Sequence, residues 1–330
     1  MPLPSPTWSI SFVLLLGATE CFAQNEPSDA TKPVPRVQAI PQPGEEASFQ
    51  IDGREVTRLH YGKEHRRAFL FPVYASRDIS LTRIGHPHDP WGHSHHNSLW
   101  LAHFQVEGVD FWGDRGTKVG RVELSNLPRE AFQDGDDSAS VTLSLNWKTE
   151  PEEIVLLHET RKVSVHPIED SKSWLLVMES VFTSPKGRTV TLGATPFGMA
   201  AVRMAKSIGV HDGGGRILNS EGKVNEKEVF RQPATWVDYS GRIANDPEGF
   251  AGITLLNHPK NPSHPTPYHV RDDGWMGACL NLDGAIQVSK ENPLKIRYGY
   301  WIHDGVPSME AIEKIADIFR ELPLPILDAP

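Results

Sequence analysis

Residues 140–148 read SVTLSLNWK, and apolar and polar side chains alternate along the whole stretch. The residues that would share one face of a strand are Val141, Leu143, Leu145 and Trp147. Strict alternation with a period of two is typical of an antiparallel strand that has one face in the core and the other toward solvent. This stretch therefore predicts a β-rich fold.

Three further stretches have strand-like patterns, at residues 173–183, 252–256 and 295–303. Turn signals such as Asp283-Gly284 lie between these stretches and favour reversal of the chain. The chain also contains 27 glycines and 27 prolines, a content that argues against a helical bundle. We expect an all-β fold, namely a large antiparallel β-sandwich with one C-terminal α-helix.

The predicted helix lies near the C-terminus, between Ser308 and Pro323. Ser308 is a suitable N-cap, and Glu310 favours the first turn because of the helix dipole. Pro323 ends the pattern because proline cannot continue a helix. The apolar residues at helical spacing are Ile312, Ile315, Ala316 and Phe319. We expect this helix to pack over the end of a sheet.

Residues 1–23 are predicted to be a secretory signal peptide. The apolar run at residues 10–16 is too short to span a bilayer. The small residues Cys21 and Ala23 suit cleavage after Ala23. We therefore expect an exported protein, either periplasmic or extracellular.

Residues 24–47 contain five prolines and no apolar periodicity, which predicts a Pro-rich disordered tether. Residues 48–330 are then expected to form a single β-sandwich domain, because no second Pro-rich linker divides them. No later stretch reaches the about 18 apolar residues that a spanning helix needs, so we expect no transmembrane segment.

The overall charge excludes several classes of partner. Lys+Arg number 33 and Asp+Glu 42, so the formal net charge is -9. Such a chain has no basic excess to neutralise phosphates, so nucleic acid is not an expected partner. No glycine-rich phosphate-binding motif occurs, so no nucleotide site is predicted. Loss of the signal peptide leaves one cysteine, Cys279, which we expect to be buried and unreactive.

Five of the 15 histidines fall in one stretch, GHPHDPWGHSHHNSLW at residues 85–100. They are His86, His88, His93, His95 and His96. Glycine and proline make the first part a loop, which leads into a strand predicted at residues 96–106. A regular pleat would point His95 and His96 to opposite faces, so the two could share a pocket only where the backbone is irregular.

Three interpretations of this stretch remain open. In the first, His95 and His96 perform acid–base chemistry on a bound ligand, because imidazole titrates near neutral pH. The neighbouring Trp91 and Trp100 would then stack on a sugar ring. In the second, the loop holds a transition metal, for which imidazole is a suitable ligand. The candidate metal ligands are His86, His88 and His93. In the third, the loop is simply solvated.

Other segments carry polar side chains that suit a binding site. Asp238 and Tyr239 lie in a predicted strand before a glycine turn, and Asp238 could equally cap that turn. Asn257 and His258 begin a Pro-rich loop, and long loops often carry sites. An arginine can bind a carboxylate or a diol, although a structural ion pair is an equal alternative. The arginine candidates are Arg203 and Arg271.

Several motifs together resemble a known bacterial family. Over residues 49–319 the chain is similar to the PmoA-like proteins. This family is labelled methane oxygenase, but the function of its shared domain is otherwise unknown. The motifs that carry the resemblance are RAFLFPV at 67–73, HHNSLW at 95–100, VDFWG at 109–113, WVDYSG at 236–241 and NHP at 257–259. The resemblance implies a β-sandwich, similar to the supersandwich of galactose-mutarotase-like proteins.

The same resemblance implies a division of roles in the site. In sugar epimerases of the mutarotase-like kind, a histidine acts as the acid and a carboxylate as the base. His95 or His96 would take the first role and Asp238 the second. We expect the segments around these histidines and around Asp238 and His258 to line one common cleft. Methane oxidation is not expected, because the chain has no spanning helix after its signal peptide.

The sequence thus predicts an exported carbohydrate-active protein, an acid–base lyase, epimerase or hydrolase that acts on a sugar or glycoside. The predicted ligand-binding residues are Trp91, Trp100, Arg203, Tyr239, Asn257, His258 and Arg271. The alternatives are a non-catalytic glycan-binding β-sandwich and a metal-dependent enzyme built on the His-rich loop. A small-molecule or glycan ligand is the expected partner, and no cofactor is predicted beyond a transition metal on that loop.

Overall fold

A computed structural model describes residues 1, 2, 4, 33–85, 93–169, 171–246, 248–325 and 327. Pro35–Pro330 form one compact unit. Nearly all of the predicted signal peptide lies outside the described residues, and so do His86, His88 and Trp91.

The chain is built mainly of β-strands. In order they are β1 (Val37–Gln42), β2 (Glu46–Ile51), β3 (Arg54–His60), β4 (Phe69–Val73), β5 (Leu99–His103), β6 (Gly120–Asn126), β7 (Phe132–Gln133), β8 (Ala139–Thr149), β9 (Val155–Pro167), β10 (Trp174–Thr183), β11 (Val190–Leu192), β12 (Thr195–Arg203), β13 (Arg216–Asn219), β14 (Pro233–Ala234), β15 (Trp236–Arg242), β16 (Phe250–Asn257), β17 (Thr266–Arg271), β18 (Trp275–Asn281), β19 (Ile286–Val288) and β20 (Leu294–Asp304). The α-helices are α1 (Val210–Gly213), α2 (Asn225–Val229) and α3 (Met309–Glu321), and single 3-10 turns lie at Arg129–Ala131 and Lys206–Ile208.

In the described residues, the strands form two large antiparallel sheets and one small sheet. The first sheet has the order β1-β2-β3-β4-β5-β12-β18-β17-β14. The second has the order β13-β15-β16-β20-β10-β9-β8-β6, and β7 pairs with β8. The small sheet contains β11 and β19. The two large sheets pack face to face around one apolar core, to which both contribute. The predicted antiparallel β-sandwich is confirmed.

The alternation that predicted the fold corresponds to real strands. In β8, Val141, Leu143 and Leu145 are buried in the core between the sheets, while the residues between them are half-buried. In β20, Tyr298 and Tyr300 contribute to the same core. These strands were predictable because a pleat repeats every two residues and one face of each is covered by the opposite sheet.

The C-terminal helix α3 covers the outer face of the second sheet. The hydroxyl of Ser308 accepts a hydrogen bond from the Ala311 N–H at 3.2 Å, which satisfies one free donor of the first turn. The buried side of the helix includes Ile312 and Phe319. Trp236 of β15 reaches across and donates to Glu313 at 2.6 Å. Among the described residues, no helix is long and apolar enough to cross a membrane.

The predicted tether ends too late in the sequence. Residues 37–47 already belong to β1 and the start of β2, with Pro41 paired opposite Ala47. Strand β1 lies at the edge of the first sheet, where a proline is tolerated because one side needs no ladder hydrogen bond. Because of its prolines, this segment was not recognised as a strand. Buried and half-buried residues nevertheless alternate at its start, where Val37 and Ala39 are buried.

Candidate functional site

An aromatic cluster lies on the outer face of the first sheet, opposite the main core. Strand β5 alternates sides, so that Leu99 and Leu101 enter the core while Trp100 points outward. The cluster consists of Phe69, Trp100, Ala102, Trp112, Ala201 and Trp275. Above it lies a pocket of about 400 Å³. The sheet order β5-β12-β18-β17 brings distant parts of the chain together here.

Indole and imidazole rings line the bottom of this pocket. The ring of His96 stacks on Trp275, with centroids 5.1 Å apart and planes 20° apart. Trp112 meets Trp275 edge-on at 5.4 Å, and Phe197 lies 5.8 Å from Trp112. Trp100 packs beneath these rings, 5.5 Å from Trp112, and is fully buried.

The loop before β5 lets both predicted histidines reach the pocket. Strand β5 begins at Leu99, later than predicted, and Ser98 has a positive φ of 60°. The backbone N–H of His96 closes a turn onto the carbonyl of His93 at 3.1 Å. Because residues 93–97 do not follow a regular pleat, His93, His95 and His96 all line the pocket.

A buried arginine fastens this loop to the turn that carries Trp112. One Nη of Arg67 donates to the carbonyl of His95 and to Asn97, both at 2.9 Å. The other Nη donates to the carbonyls of Trp112 and Gly113, at 2.8 and 3.2 Å. Burial lowers the pKa of Arg67 to about 10. Arg67 thus positions two walls of the pocket, although it was not among the predicted site residues.

Asp110 shapes the turn that presents Trp112. Its Oδ1 accepts the backbone N–H groups of Trp112 and Gly113, at 2.7 and 2.8 Å. The Asp110 side chain also lines the pocket. This turn follows β5, and the sequence motif VDFWG contains it.

Arg203, at the end of β12, is fully buried and lines the pocket. Its two Nη atoms donate to the carboxylate of Asp273, at 2.9 and 3.1 Å. Asp273 is partly exposed, with 36% of its side chain accessible, and it also lines the pocket. The ion pair with Asp273 is the structural alternative that the sequence left open, and Arg203 also lines the pocket.

Tyr239 supports this wall from behind. Its hydroxyl donates toward the carbonyls of Arg271 and Asp272 and accepts the N–H of Gly274 at 3.0 Å. The Tyr239 ring lies in the main core. Tyr239 is therefore a positioning residue for the 271–274 turn and does not line the pocket, contrary to the predicted ligand contact.

Arg271, a predicted ligand-binding residue, lines the pocket. It pairs with Glu226 of α2 at 2.6 Å and lies over the ring of Phe230, 4.3 Å from its centroid. The neighbouring His269 on β17 points to the same outer face, 5.2 Å from Phe197.

Three imidazoles of the pocket, those of His95, His96 and His269, are held neutral at pH 7. Burial is the main cause and lowers the pKa of His95 to about 4, with a further contribution from Arg67. Burial also lowers the pKa of His269 to about 4, and that of His96 well below its ordinary value. A neutral imidazole carries a free lone pair, so these groups can accept a proton or a hydrogen bond but do not supply an acidic proton as imidazolium.

The predicted partner Asp238 lies elsewhere. It is fully buried in β15 of the second sheet, on the outer face that α3 covers, where Leu218 and Trp236 also point. Its Oδ1 accepts hydrogen bonds from His303 at 2.9 Å and Thr254 at 2.8 Å. The predicted convergence of Asp238 with His95 and His96 is therefore wrong, because β15 belongs to the opposite sheet.

Asn257 and His258 do not reach the pocket either. His258 lines a second cavity near the end of α3, together with Glu179 and Arg297. Asn257 accepts a hydrogen bond from Asn261 at 2.7 Å and stabilises the loop that begins there. Burial lowers the pKa of His258 to about 4 and raises that of Glu179 to about 7.

The predicted sugar-stacking residues also need correction. Trp100 is buried beneath the other rings and does not line the pocket, whereas Trp91 lies outside the described residues. Trp112 and Trp275 are the tryptophans that line the pocket. Neither Trp112 nor Trp275 was among the predicted ligand-binding residues.

Within the described part of the chain, no group of three or more His, Cys, Asp or Glu side chains is arranged to hold a metal ion. Of the candidate ligands, His93 lies 4.8 Å ring to ring from His96, while His86 and His88 are outside the described residues. Cys279 is buried, and burial raises its pKa to about 12, as expected for an unreactive thiol.

Comparisons with known proteins add a family. The model of a family of unknown function, DUF6807, matches residues 46–317. A search of the curated proteins finds no match to this sequence.

Two similar solved structures are glycoside hydrolases. One is a substituted GH36 alpha-galactosidase AgaA from Geobacillus stearothermophilus in complex with stachyose, with a TM-score of 0.36 and 10% identity over 81% of this chain and 40% of that chain. The other is the galactosidase domain of the alpha-galactosidase-sucrose kinase AgaSK, with a TM-score of 0.35 and 7% identity over 82% of this chain and 40% of that chain. This chain spans less than half the length of either.

Proposed function

We propose a carbohydrate-binding function for this chain, which belongs to the DUF6807 family of unknown function. The ligand occupies the pocket on the outer face of the first sheet. The observation that carries the proposal is the combination of indole rings at the bottom, Trp112 and Trp275, with the polar groups of Arg203, Asp273 and Asp110 around them.

A saccharide matches both parts of this lining. The C–H face of a pyranose ring is apolar and packs on an aromatic ring, whereas its hydroxyls need donors and acceptors at the edge. The carboxylates of Asp110 and Asp273 accept from hydroxyls, and Arg271 donates to them. A volume of about 400 Å³ suits a small ligand rather than a macromolecular surface. The mutarotase-like fold that the PmoA-like resemblance implies points to the same ligand class.

We further propose that the pocket acts chemically on the bound sugar. His95 is neutral and partly buried in a pocket that the carboxylates of Asp110 and Asp273 also line, so it can take a proton from a ligand hydroxyl or carbon. This assigns His95 the role of base, which the resemblance had given to Asp238. Export to the periplasm or the exterior remains part of the proposal.

The binding test uses a panel of monosaccharides and short oligosaccharides, with calorimetry on the full chain. Trp112→Leu removes a pocket indole and should weaken binding at least about tenfold. Trp301→Leu is the matched control, because Trp301 is similarly buried but lies under α3. If no saccharide binds, or if both variants lose affinity equally while folded, the proposal is wrong.

The chemical step is tested by NMR of saccharides that bind. We expect wild-type protein to convert at least one of them, and His95→Gln to bind it with little change but convert it at least about a hundredfold more slowly. If saccharides bind but none of the panel is converted, the catalytic assignment is wrong for that panel. The protein would then be a glycan-binding protein.

A further inference from the structure

We infer that the ligand is an acidic saccharide, with its carboxylate against the pocket wall formed by His96, Arg203 and Trp275. This inference rests on the proposed function, since it specifies the saccharide class for the same pocket. We call these residues the donor wall.

The donor wall presents buried polar atoms that lack a partner. Nε of Arg203, Nε1 of Trp275 and Nδ1 of His96 make no hydrogen bond with any described residue. The three side chains are 0%, 4% and 5% exposed, and all three line the pocket. A buried polar group without a partner is costly, and such groups at a concave site indicate an absent ligand atom.

The chemistry of these atoms selects the ligand group. The Nε of arginine and the Nε1 of tryptophan can only donate, so the complementary ligand atoms must be acceptors. The Nη atoms of Arg203 are already bound to Asp273, which leaves Nε for another acceptor. A carboxylate offers two oxygens and several lone pairs without bringing a proton of its own.

The charges behind the wall favour an anion. Arg67 donates to three backbone carbonyls and one amide oxygen, and Arg83 donates to the carbonyls of Met204, Gly85 and Asp273. Neither guanidinium makes an ion pair with a carboxylate of the described residues. Of Arg67, Arg83 and Arg203, Arg203 alone forms an ion pair within the described residues, with Asp273. Two guanidinium groups without a directly bonded carboxylate among the described residues therefore lie close to the donor wall.

The electrostatic environment of His96 agrees with this arrangement of arginines. Burial lowers its pKa most, and the two arginine charges that lower it further are those of Arg203 and Arg83. Ligand oxygens with negative charge would be stabilised at this position. The aromatic bottom of the pocket would hold the sugar ring beside the same wall.

The experiment compares four matched probes by calorimetry on the full chain: a hexose, the corresponding hexuronic acid, the methyl ester of that acid, and the hexose 6-sulfate. We expect the hexuronic acid to bind at least about tenfold more tightly than each of the others. We also expect its affinity to fall as salt concentration rises.

Two variants locate the effect. Trp275→Phe keeps an aromatic ring but removes the Nε1 donor, and should reduce the preference for the acid over the hexose at least about threefold. Trp301→Phe is the control, because its Nε1 also lacks a described partner but lies away from the pocket. The control should retain the full preference.

The outcomes separate this inference from the proposed function. If the hexose or the methyl ester binds as tightly as the acid, the inference is wrong and the saccharide pocket stands. Equal binding of the sulfate would overturn the carboxylate assignment. If Trp301→Phe loses the preference as much as Trp275→Phe, the donor wall is wrong. If no probe and no other saccharide binds, both proposals are wrong.

Discussion

The guanidinium of Arg67 donates a hydrogen bond to the backbone carbonyl of His95 at 2.9 Å. The same side chain holds the turn of Trp112 through two further carbonyls. One buried cation therefore fixes the relative position of two pocket walls that lie on different loops.

Arg67→Lys should disturb both walls, because one ammonium cannot donate in the four directions that the guanidinium serves. We expect the free energy of unfolding to fall by about 2 kcal/mol and saccharide affinity to fall about tenfold. Denaturant titration and calorimetry measure the two effects. Arg58→Lys, at a half-exposed ion pair with Glu46, is the control and should change stability by less than about 1 kcal/mol. Unchanged affinity in Arg67→Lys would show that the walls do not depend on this residue.

Asp238→Asn should affect stability and spare ligand binding. The substitution removes the charge that His303 contacts inside the second sheet, so we expect a loss of about 1–3 kcal/mol in the free energy of unfolding. Saccharide affinity and any turnover should stay within about twofold of wild type, because Asp238 is in the opposite sheet from the pocket. A folded Asp238→Asn protein that loses turnover would contradict the site described above.

Stability should decrease as pH falls from 6.5 toward 4, partly because of His103. This side chain is fully buried in β5, bound to Asn281 at 2.9 Å, and burial lowers its pKa to about 4. The unfolded chain binds the proton at higher pH than the folded chain does, so the contribution is complete above the unfolded pKa of about 6.5 and is lost as pH drops through that interval. For this residue the loss is about 3 kcal/mol.

His103→Gln separates this contribution from that of other groups. We expect the variant to be less stable at pH 7 and to show a shallower decline between pH 6.5 and 4 when unfolding is followed by denaturant titration. His211→Gln is the control, since 80% of that side chain is exposed. An equally steep decline in His103→Gln and wild type would exclude His103 as a source of the pH dependence.

Export predicts a defined mature N-terminus. Cleavage after Ala23 should release a protein that begins at Gln24, when the full gene is expressed in a bacterium with an intact secretion system. N-terminal sequencing of the protein from the cell envelope or medium is the measurement. Replacing Ala23 by a bulky residue such as Phe should slow the cleavage. Intact Met1 on protein from those fractions would contradict the signal peptide.

The parts of the fold that the sequence predicted are those set by local spacing. The alternation in β8 and the cap at Ser308 act within a few residues, so they were visible in the chain itself. Only part of the pocket lining could be predicted from the sequence. The density of histidines identified His95 and His96, but Trp275 joins them because β18 lies two strands from β5. No pattern near residue 275 encodes that neighbour, just as none near Asp238 encodes its place in the opposite sheet.

The aromatic cluster beneath the pocket and the core between the sheets have no member in common among the described residues. Substitutions at distant sites without shared partners usually add independently. A lineage could therefore retune the pocket through Trp112 or Phe197 while the packing that keeps the sandwich folded stays intact. The sandwich is thus a scaffold on which new ligand preferences can diverge without repacking of the core between the sheets.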